Sequence, residues 1–370
     1  MERNSPPFRA DHVGSLIRPQ WLIEARRDFM AGKTAREALR QHEDRAIREV
    51  VALQEEVGLH AVTDGEFRRA SYLAEFLNPL GVELVQGKSP DMVYHDDDGK
   101  TVPGTLALVN RRIAWTGSVN VAAFTFFKSL TKETPKVTIP APTQVHQFAG
   151  RDGISKSIYP DIEQFWDDMV AAYHAELKAL GDAGCTYVQI DETSMPKLAD
   201  PAIQGVVERR GQDWRAVLNV YADVMNRIIR GAPPGMTIAI HHCRGNNAGR
   251  WMAQAGYDAV AELLFGTIEA KSYLLEYDTP RAGDFTALRF MPKDKVALLG
   301  LVSTKNNRIE SADELTRRID EAAKYMPLDR LALGPQCGFS CGFAGSQLTY
   351  DSQVKKLQRI VEVARQVWNA

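Results

Sequence analysis

Eight times along the chain a short run of β-branched and other apolar residues ends in polar or charged ones, and in most cases a helical stretch follows. The runs are FRADHVGS (Phe8–Ser15), HAVTDGEF (His60–Phe67), KVTIPAPT (Lys136–Thr143), TYVQIDET (Thr186–Thr193), MTIAIHHC (Met236–Cys243), SYLLEYD (Ser272–Asp278), KVALLGLVST (Lys295–Thr304) and LDRLALGPQC (Leu328–Cys337). Helical patterns cover Ala35–Val57, the stretch from Ile162 through Tyr173, Trp214–Ile229 and Tyr350–Trp368. In the second of these, Ile162, Phe165, Trp166, Met169, Val170 and Tyr173 recur at the three- and four-residue spacing of one helix face. Ser311, with Glu314 three residues later, reads as the cap of another helix. Such alternation predicts parallel strands covered by helices. Eight units predict a (β/α)8 TIM barrel, with its active site at the C-terminal strand ends.

The length suits this architecture. The 370 residues, 44% of them hydrophobic, fill one barrel with insertions, so residues 1–370 read as a single catalytic unit. The segment from about 81 to 120 breaks the alternation and reads as an inserted β-hairpin excursion over the barrel mouth. Its acidic run, Asp96–Asp98, reads as a solvated turn. A formal charge of −2 gives no basic field for nucleic acid or an anionic membrane. No apolar run approaches the ~18 residues of a membrane span, and the N-terminus lacks a secretory pattern. Four cysteines in such a chain make no disulfide scaffold, which points to a reduced cytoplasmic protein with thiols free to bind metal.

The polar residues fall where a barrel needs them. The first run ends in Val13, Gly14 and Ser15, the second in Asp64, Gly65 and Glu66, and the fourth in Asp191 and Glu192. The fifth ends in His241, His242 and Cys243, the sixth in Glu276, Tyr277 and Asp278, and the eighth in Cys337 and Gly338. Along a strand, residues i and i+2 share a face, so His241 and Cys243 converge while His242 points away. A His-x-Cys pair is half a zinc site. Zinc takes imidazole, thiolate and carboxylate ligands, and Glu276 and Cys337 complete a set of four. A structural role for the pair explains it equally well at this point.

These residues resemble a known group. HVGS (His12–Ser15), DGEFRR (Asp64–Arg69), QIDE (Gln189–Glu192), HHCRGN (His241–Asn246), LLEYDTPRAGDF (Leu274–Phe285), LGLVSTK (Leu299–Lys305) and LALGPQCGF (Leu331–Phe339) are similar to motifs of cobalamin-independent methionine synthases. The chain resembles their C-terminal catalytic barrel, and more closely the short bacterial members lacking the N-terminal barrel. The resemblance implies a zinc-dependent transfer of a methyl group to homocysteine, giving methionine. The activity would be that of a 5-methyltetrahydropteroyltriglutamate–homocysteine S-methyltransferase. His241, Cys243, Glu276 and Cys337 would bind Zn2+. Val13, Gly14 and Ser15 would receive the homocysteine carboxylate, and Glu66 and Asp191 its ammonium. The partners are then small molecules, homocysteine and a methyl donor, with a donor protein as a further option.

The donor side departs from the family pattern. Lys305 stands where a histidine assisting methyl transfer is expected. PAPTQVHQF (Pro140–Phe148) lacks the tryptophan expected to pack on folate, and Lys197 stands where a pterin-binding glutamate is expected. The donor is therefore open between methyltetrahydrofolate, a corrinoid and others. Lys305 reads either as a solvated loop lysine or as a cation near the departing group. His146 reads as a substitute donor contact near the barrel mouth, Cys341 as a spare thiol or alternative ligand, and Cys185 as core. Arg68, Arg69 and Arg244 read as cations near the site or as structural partners, Arg69 as the latter. Alternative readings are alkylation of another thiol, as in epoxide:coenzyme M transferases, and a non-catalytic zinc or amino-acid-binding protein.

Overall fold

A computed structural model of the protein describes residues 5–343 and 346–369. Its strands, in chain order, are β1 (Ala61–Val62), β2 (Glu83–Val85), β3 (Val93–His95), β4 (Thr101–Pro103), β5 (Leu106–Leu108), β6 (Thr134–Pro140), β7 (Tyr187–Asp191), β8 (Thr237–His242), β9 (Ser272–Glu276), β10 (Val296–Val302) and β11 (Leu331–Pro335). Seven of them form one parallel sheet in the order β1-β6-β7-β8-β9-β10-β11. The sheet curls, and the fold is consistent with a TIM-barrel-like architecture.

Period-two alternation builds the two faces of this sheet. Val188, Ile190, Ile238, Ile240, Tyr273, Leu275, Leu299 and Leu301 join the main apolar core, which the helices share. Their neighbours Tyr187, Ala239, Leu274, Val296, Leu298 and Ala332 form a separate, inner cluster with Phe8, Val13 and Ala61. The covering helices lie where their apolar spacing requires, at Arg36–Val57, Ile162–Asp182, Trp214–Arg230 and Tyr350–Trp368. The helix at Ala312–Ala322 is capped by Ser311, whose side chain accepts a hydrogen bond from the Glu314 amide.

The first expected strand takes a different form. Phe8–Ser15 is not a ladder strand. It makes a single parallel bridge, Ala10 to Leu333 of β11. On its other side the Gly14 carbonyl accepts from Thr63 Oγ1 at 2.6 Å, and the Leu16 amide donates to the Gly65 carbonyl at 3.1 Å. The segment thus fills the seam between the two ends of the sheet, held by a few bonds to each. Buried ionic anchoring replaces the ladder. Asp11 accepts from Lys136 Nζ and from the Tyr187 hydroxyl, each at 2.7 Å.

Between residues 81 and 120 the chain forms two antiparallel pairs, β3–β4 enclosed within β2–β5. The Asp96–Asp98 run is a turn. Asp96 Oδ1 accepts from the amides of Asp98 and Lys100, and Gly99 takes a left-handed φ of 77°. Backbone bonds between His95 and Trp251 tie β3 to the loop that follows β8.

Candidate metal centre and substrate pocket

β8 carries His241 and His242 on opposite faces, as alternation requires. His242 turns outward. Its Nδ1–H donates to the Glu192 carbonyl at 2.6 Å, and its ring stacks near Tyr273. His241 turns inward. Its Nδ1–H donates to the Leu274 carbonyl at 3.1 Å, which leaves the lone pair on Nε2. That Nε2 is buried and has no hydrogen-bond partner. Cys243 follows just past the strand, and Cys337 lies just past β11. Their sulfurs stand 3.8 Å apart. One ligand atom from each of His241, Cys243 and Cys337 lies within 4.8 Å of the others.

This donor set fits a tetrahedral zinc ion. Two thiolates at about 2.3 Å from such an ion stand about 3.8 Å from each other. His241 Nε2, buried and without a hydrogen-bond partner on the same face as the two sulfurs, can serve as a third ligand. The three groups also share protons among themselves: burial presses the His241 pKa down, but Cys243 and Asp191 outweigh it and raise it to about 9. The Cys337 thiol donating to Cys243 holds the Cys243 thiol well below its ordinary range. Burial opposes this and His241 adds to it. Cys337, as the donor, is pushed up.

Glu276 ends β9 and is buried, but its carboxylate is not among the ligand atoms that gather within 4.8 Å, and both its oxygens are engaged. Oε1 accepts from Lys305 Nζ at 2.7 Å, and Oε2 from the Arg244 amide at 2.6 Å. Lys305 is therefore not a solvated loop lysine. It is buried, and it also donates to both oxygens of Asp278 at 3.1 Å. Burial works against its charge, but Glu276 and Asp278 outweigh it and raise its pKa. Asp278 is held in turn by Ser303 Oγ at 2.7 Å.

One pocket, about 440 Å³ of empty space, gathers most of the residues expected at the strand ends. Val13, Ser15, Glu66, Asp191, His241, Cys243 and Cys337 all line it. Gly14 lies behind them. Its φ is 132°, and a Cβ there would meet Thr138 Cγ2 at 2.5 Å, so only glycine lets the Val13–Ser15 turn pass. Gly338 packs directly against Ser15, whose Oγ would lie 2.0 Å from a Cβ there. Glu66 has a left-handed φ of 61°, unusual for a residue with a side chain. Thr138 Oγ1 donates to its Oε1 at 2.7 Å, and Arg69 stands 3.6 Å away. Asp191 accepts from Gln189 Nε2 at 2.7 Å. Burial raises its pKa to about 7. Glu66 adds to the rise, while His241 and the Gln189 bond oppose it.

Other residues take places different from those expected. His146 does not face the pocket. It packs between helices, its Nδ1 bonded to the Tyr221 hydroxyl at 2.8 Å and its ring near Trp166. Lys197 is buried behind Thr193, donating to Thr193 Oγ1 at 3.1 Å and Gln147 Oε1 at 3.3 Å. Arg68 pairs with Glu43 and Asp44, away from the pocket. Arg244 is fully buried against the Tyr257 ring. Cys185 is core. Cys341 lines the pocket, its sulfur 3.8 Å from Cys337. The pocket also takes Tyr72, Tyr94, Thr193 and Asn246. Neither periodicity nor spacing marked these four for the site.

The model of the cobalamin-independent synthase catalytic domain matches residues 9–366. The chain belongs to this family. It is 37% identical over 369 residues to the protein YxjH of Bacillus subtilis, covering 99% of this chain and 96% of that one. A protein named methionine synthase from Pyrococcus abyssi is 24% identical over 88% of this chain and 84% of its own length. The crystal structure of a putative vitamin-B12-independent methionine synthase from Listeria monocytogenes superposes with a TM-score of 0.77. It has 31% identity and covers 99% of both chains. A B12-independent methionine synthase from Shewanella, solved with selenomethionine, shares the fold at a TM-score of 0.73, 19% identity and 98% coverage of both chains. Among the described residues no helix is long and apolar enough to cross a membrane.

Proposed function

We propose that the protein is a zinc-dependent S-methyltransferase that methylates homocysteine to methionine. One observation carries the reading. A metal-ready His241, Cys243 and Cys337 cluster shares a single pocket with Glu66, Asp191 and Ser15. The first set suits a thiol, the second an amino acid's charged ends. Family membership and the name of the Pyrococcus relative support it.

In this reading His241, Cys243 and Cys337 hold zinc, with Glu276 as the fourth ligand, steered by Lys305 and the Arg244 amide. Bound zinc would keep the substrate sulfur as thiolate at neutral pH, where a free thiol is mostly protonated. The rest is done by the chain. The Val13–Ser15 turn receives the carboxylate with amide N–H groups and the Ser15 hydroxyl. Glu66 and Asp191 receive the ammonium. That cation favours the ionised form of Asp191, whose proton burial otherwise retains. The sulfur end then points at the cluster, and the methyl donor approaches from the open side.

The test is a titration of zinc-loaded protein with homocysteine, followed by calorimetry and by X-ray absorption at the zinc edge. Binding accompanied by a new zinc–sulfur contact is expected. Failure to bind, or binding equal to that of homoserine, overturns the proposal.

A further inference from the structure

A second cleft opens off the thiol pocket. It holds about 1270 Å³ of empty space and shares Tyr72, Tyr94, Asn246 and Cys341 with that pocket. Its walls come from the 70–74 loop, the β2–β5 segment, the 246–248 loop and residues 341–343. A molecule lying in it borders directly on whatever the thiol pocket holds.

The chemistry of these walls is specific. Among the described residues no Lys, Arg, His, Asp or Glu lines the cleft. Its functional surface is aromatic, from Tyr72, Tyr94 and Phe343, and amide, from Gln86, Asn246 and Asn247. Lys305 does not supply a cation here, because its amine is spent on Glu276 and Asp278. The Tyr72 hydroxyl is spent on Gln144 Oε1, at 2.7 Å.

Two donor classes fit poorly. A polyanionic tail is ordinarily met by Arg or Lys. A methyl group leaving an ordinary amine nitrogen requires a proton for that nitrogen, from an acid within hydrogen-bond reach. The walls offer no cation and no carboxyl, imidazole or ammonium acid, and burial makes the Tyr94 phenol a poorer acid than usual. Aromatic faces do hold onium cations, which need no hydrogen-bond acceptor.

We infer that the cleft binds a methyl-onium donor, a sulfonium or a quaternary ammonium compound, and presents its methyl group to the thiol next door. The inference rests on the reading of the first pocket as a homocysteine site. In the step, the thiolate sulfur forms the new S–CH3 bond. The CH3–S+ or CH3–N+ bond breaks, and its electron pair stays with the departing atom. The product leaves as a neutral thioether or tertiary amine. No proton moves to the leaving group, so the walls need no acid.

The experiment uses the full zinc-loaded chain with homocysteine and donors carrying a 13C methyl group. These are S-methylmethionine, glycine betaine, methyltetrahydrofolate with its polyglutamate, and methylcobalamin, with product mass read directly. Labelled methionine from one of the two onium donors is expected, and which one identifies the source. Label arriving from the folates or the corrinoid alone, or from none, overturns the inference. Homocysteine binding is measured on the same preparation. Binding without onium transfer removes the donor inference and leaves the thiol reading standing. No binding removes both. As a readout apart from turnover, tetramethylammonium binding is followed by NMR. Tyr94→Leu is expected to weaken it at least fivefold, and Tyr94→Phe, which keeps the ring, to restore most of the loss. Equal binding by wild type and Tyr94→Leu counts against the cleft as the onium site.

Discussion

Lys305 Nζ lies 2.7 Å from Glu276 Oε1, so the carboxylate proposed as the fourth metal ligand is one arm of a buried ion pair. Asp278 forms the other arm. Removing the lysine leaves two buried carboxylates without their cation. Lys305→Met is expected to destabilise the fold by about 3–5 kcal/mol, the usual cost of breaking a buried pair from one side. Adding Asp278→Asn should recover part of it. Denaturant unfolding of the single and double variants checks this. A loss below about 1 kcal/mol in the single variant would show that the pair is not coupled to the fold.

Zinc retention should depend on both sulfurs. Cys337→Ser and Cys243→Ser are each expected to lower zinc affinity by at least the roughly 100-fold that even outer-sphere partners can cost. Competition with a chromogenic chelator measures it. Cys341→Ser makes a useful contrast. If it releases zinc as readily as Cys337→Ser, the fourth ligand is Cys341 and Glu276 is not one.

Asp191→Asn keeps the shape and removes the charge. A hydrogen bond to a charged group contributes about 1.5–3 kcal/mol, so homocysteine should bind about 10- to 150-fold more weakly. 3-Mercaptopropionate lacks the amine and should be indifferent to the substitution. Equal weakening of both thiols would place the ammonium elsewhere.

Gly14→Ala places a methyl group 2.5 Å from Thr138 Cγ2 at a φ of 132°. The expected cost is about 1–3 kcal/mol from backbone strain alone. Because Thr138 also holds Glu66, the affinity for homocysteine should fall along with stability. Thermal unfolding and calorimetry on one preparation separate the two effects.

Acid should weaken the fold early. Burial, helped by Lys136, lowers the His12 pKa to about 3, and burial, helped by Arg210, lowers that of His146 to about 4. Unfolded, each takes a proton near pH 6.5. As pH falls from about 6.5 towards 4, the unfolded chain binds protons that the folded chain refuses. The histidine contribution therefore drops, by up to about 1.4 kcal/mol per pH unit for each, and vanishes above pH 7, while the raised Asp191 acts with the opposite sign below pH 7. Melting temperatures between pH 8 and 5 give the slope. His146→Gln should flatten it, and an unchanged slope would remove His146 from the account.

Strand periodicity made the inner face of the sheet readable. It separated His241 from His242 because a strand leaves a side chain two directions to point, and burial on both faces fixes the register. Glu276 and Cys337 were legible as strand-end residues for the same reason. The partner of Glu276 was not, because two neighbouring loops must pack before Lys305 can reach it. Tyr72 and Tyr94 were illegible for a related reason. They arrive on a loop and on a three-residue strand, where no period accumulates. His146 was misplaced because a helix right after a strand end can face either the mouth or the next helix. Here Tyr221 and Trp166 drew it outward. Phe8–Ser15 has the composition of a strand, yet buried bonds from Asp11 hold it where a ladder would otherwise be needed.

That first segment has one more consequence. It joins the two ends of the curled sheet through a bridge to Leu333 and a bond from Thr63, and its far end is Ser15, in the pocket wall. A ligand gripped there works like a rivet through a hoop, loading the one joint that has no ladder of its own. Saturating ligand at 100 times its dissociation constant adds about 2.7 kcal/mol to the folded state. The amides of Ala10 through Leu16 are where that gain should register as slowed hydrogen exchange, ahead of those in β8 or β9.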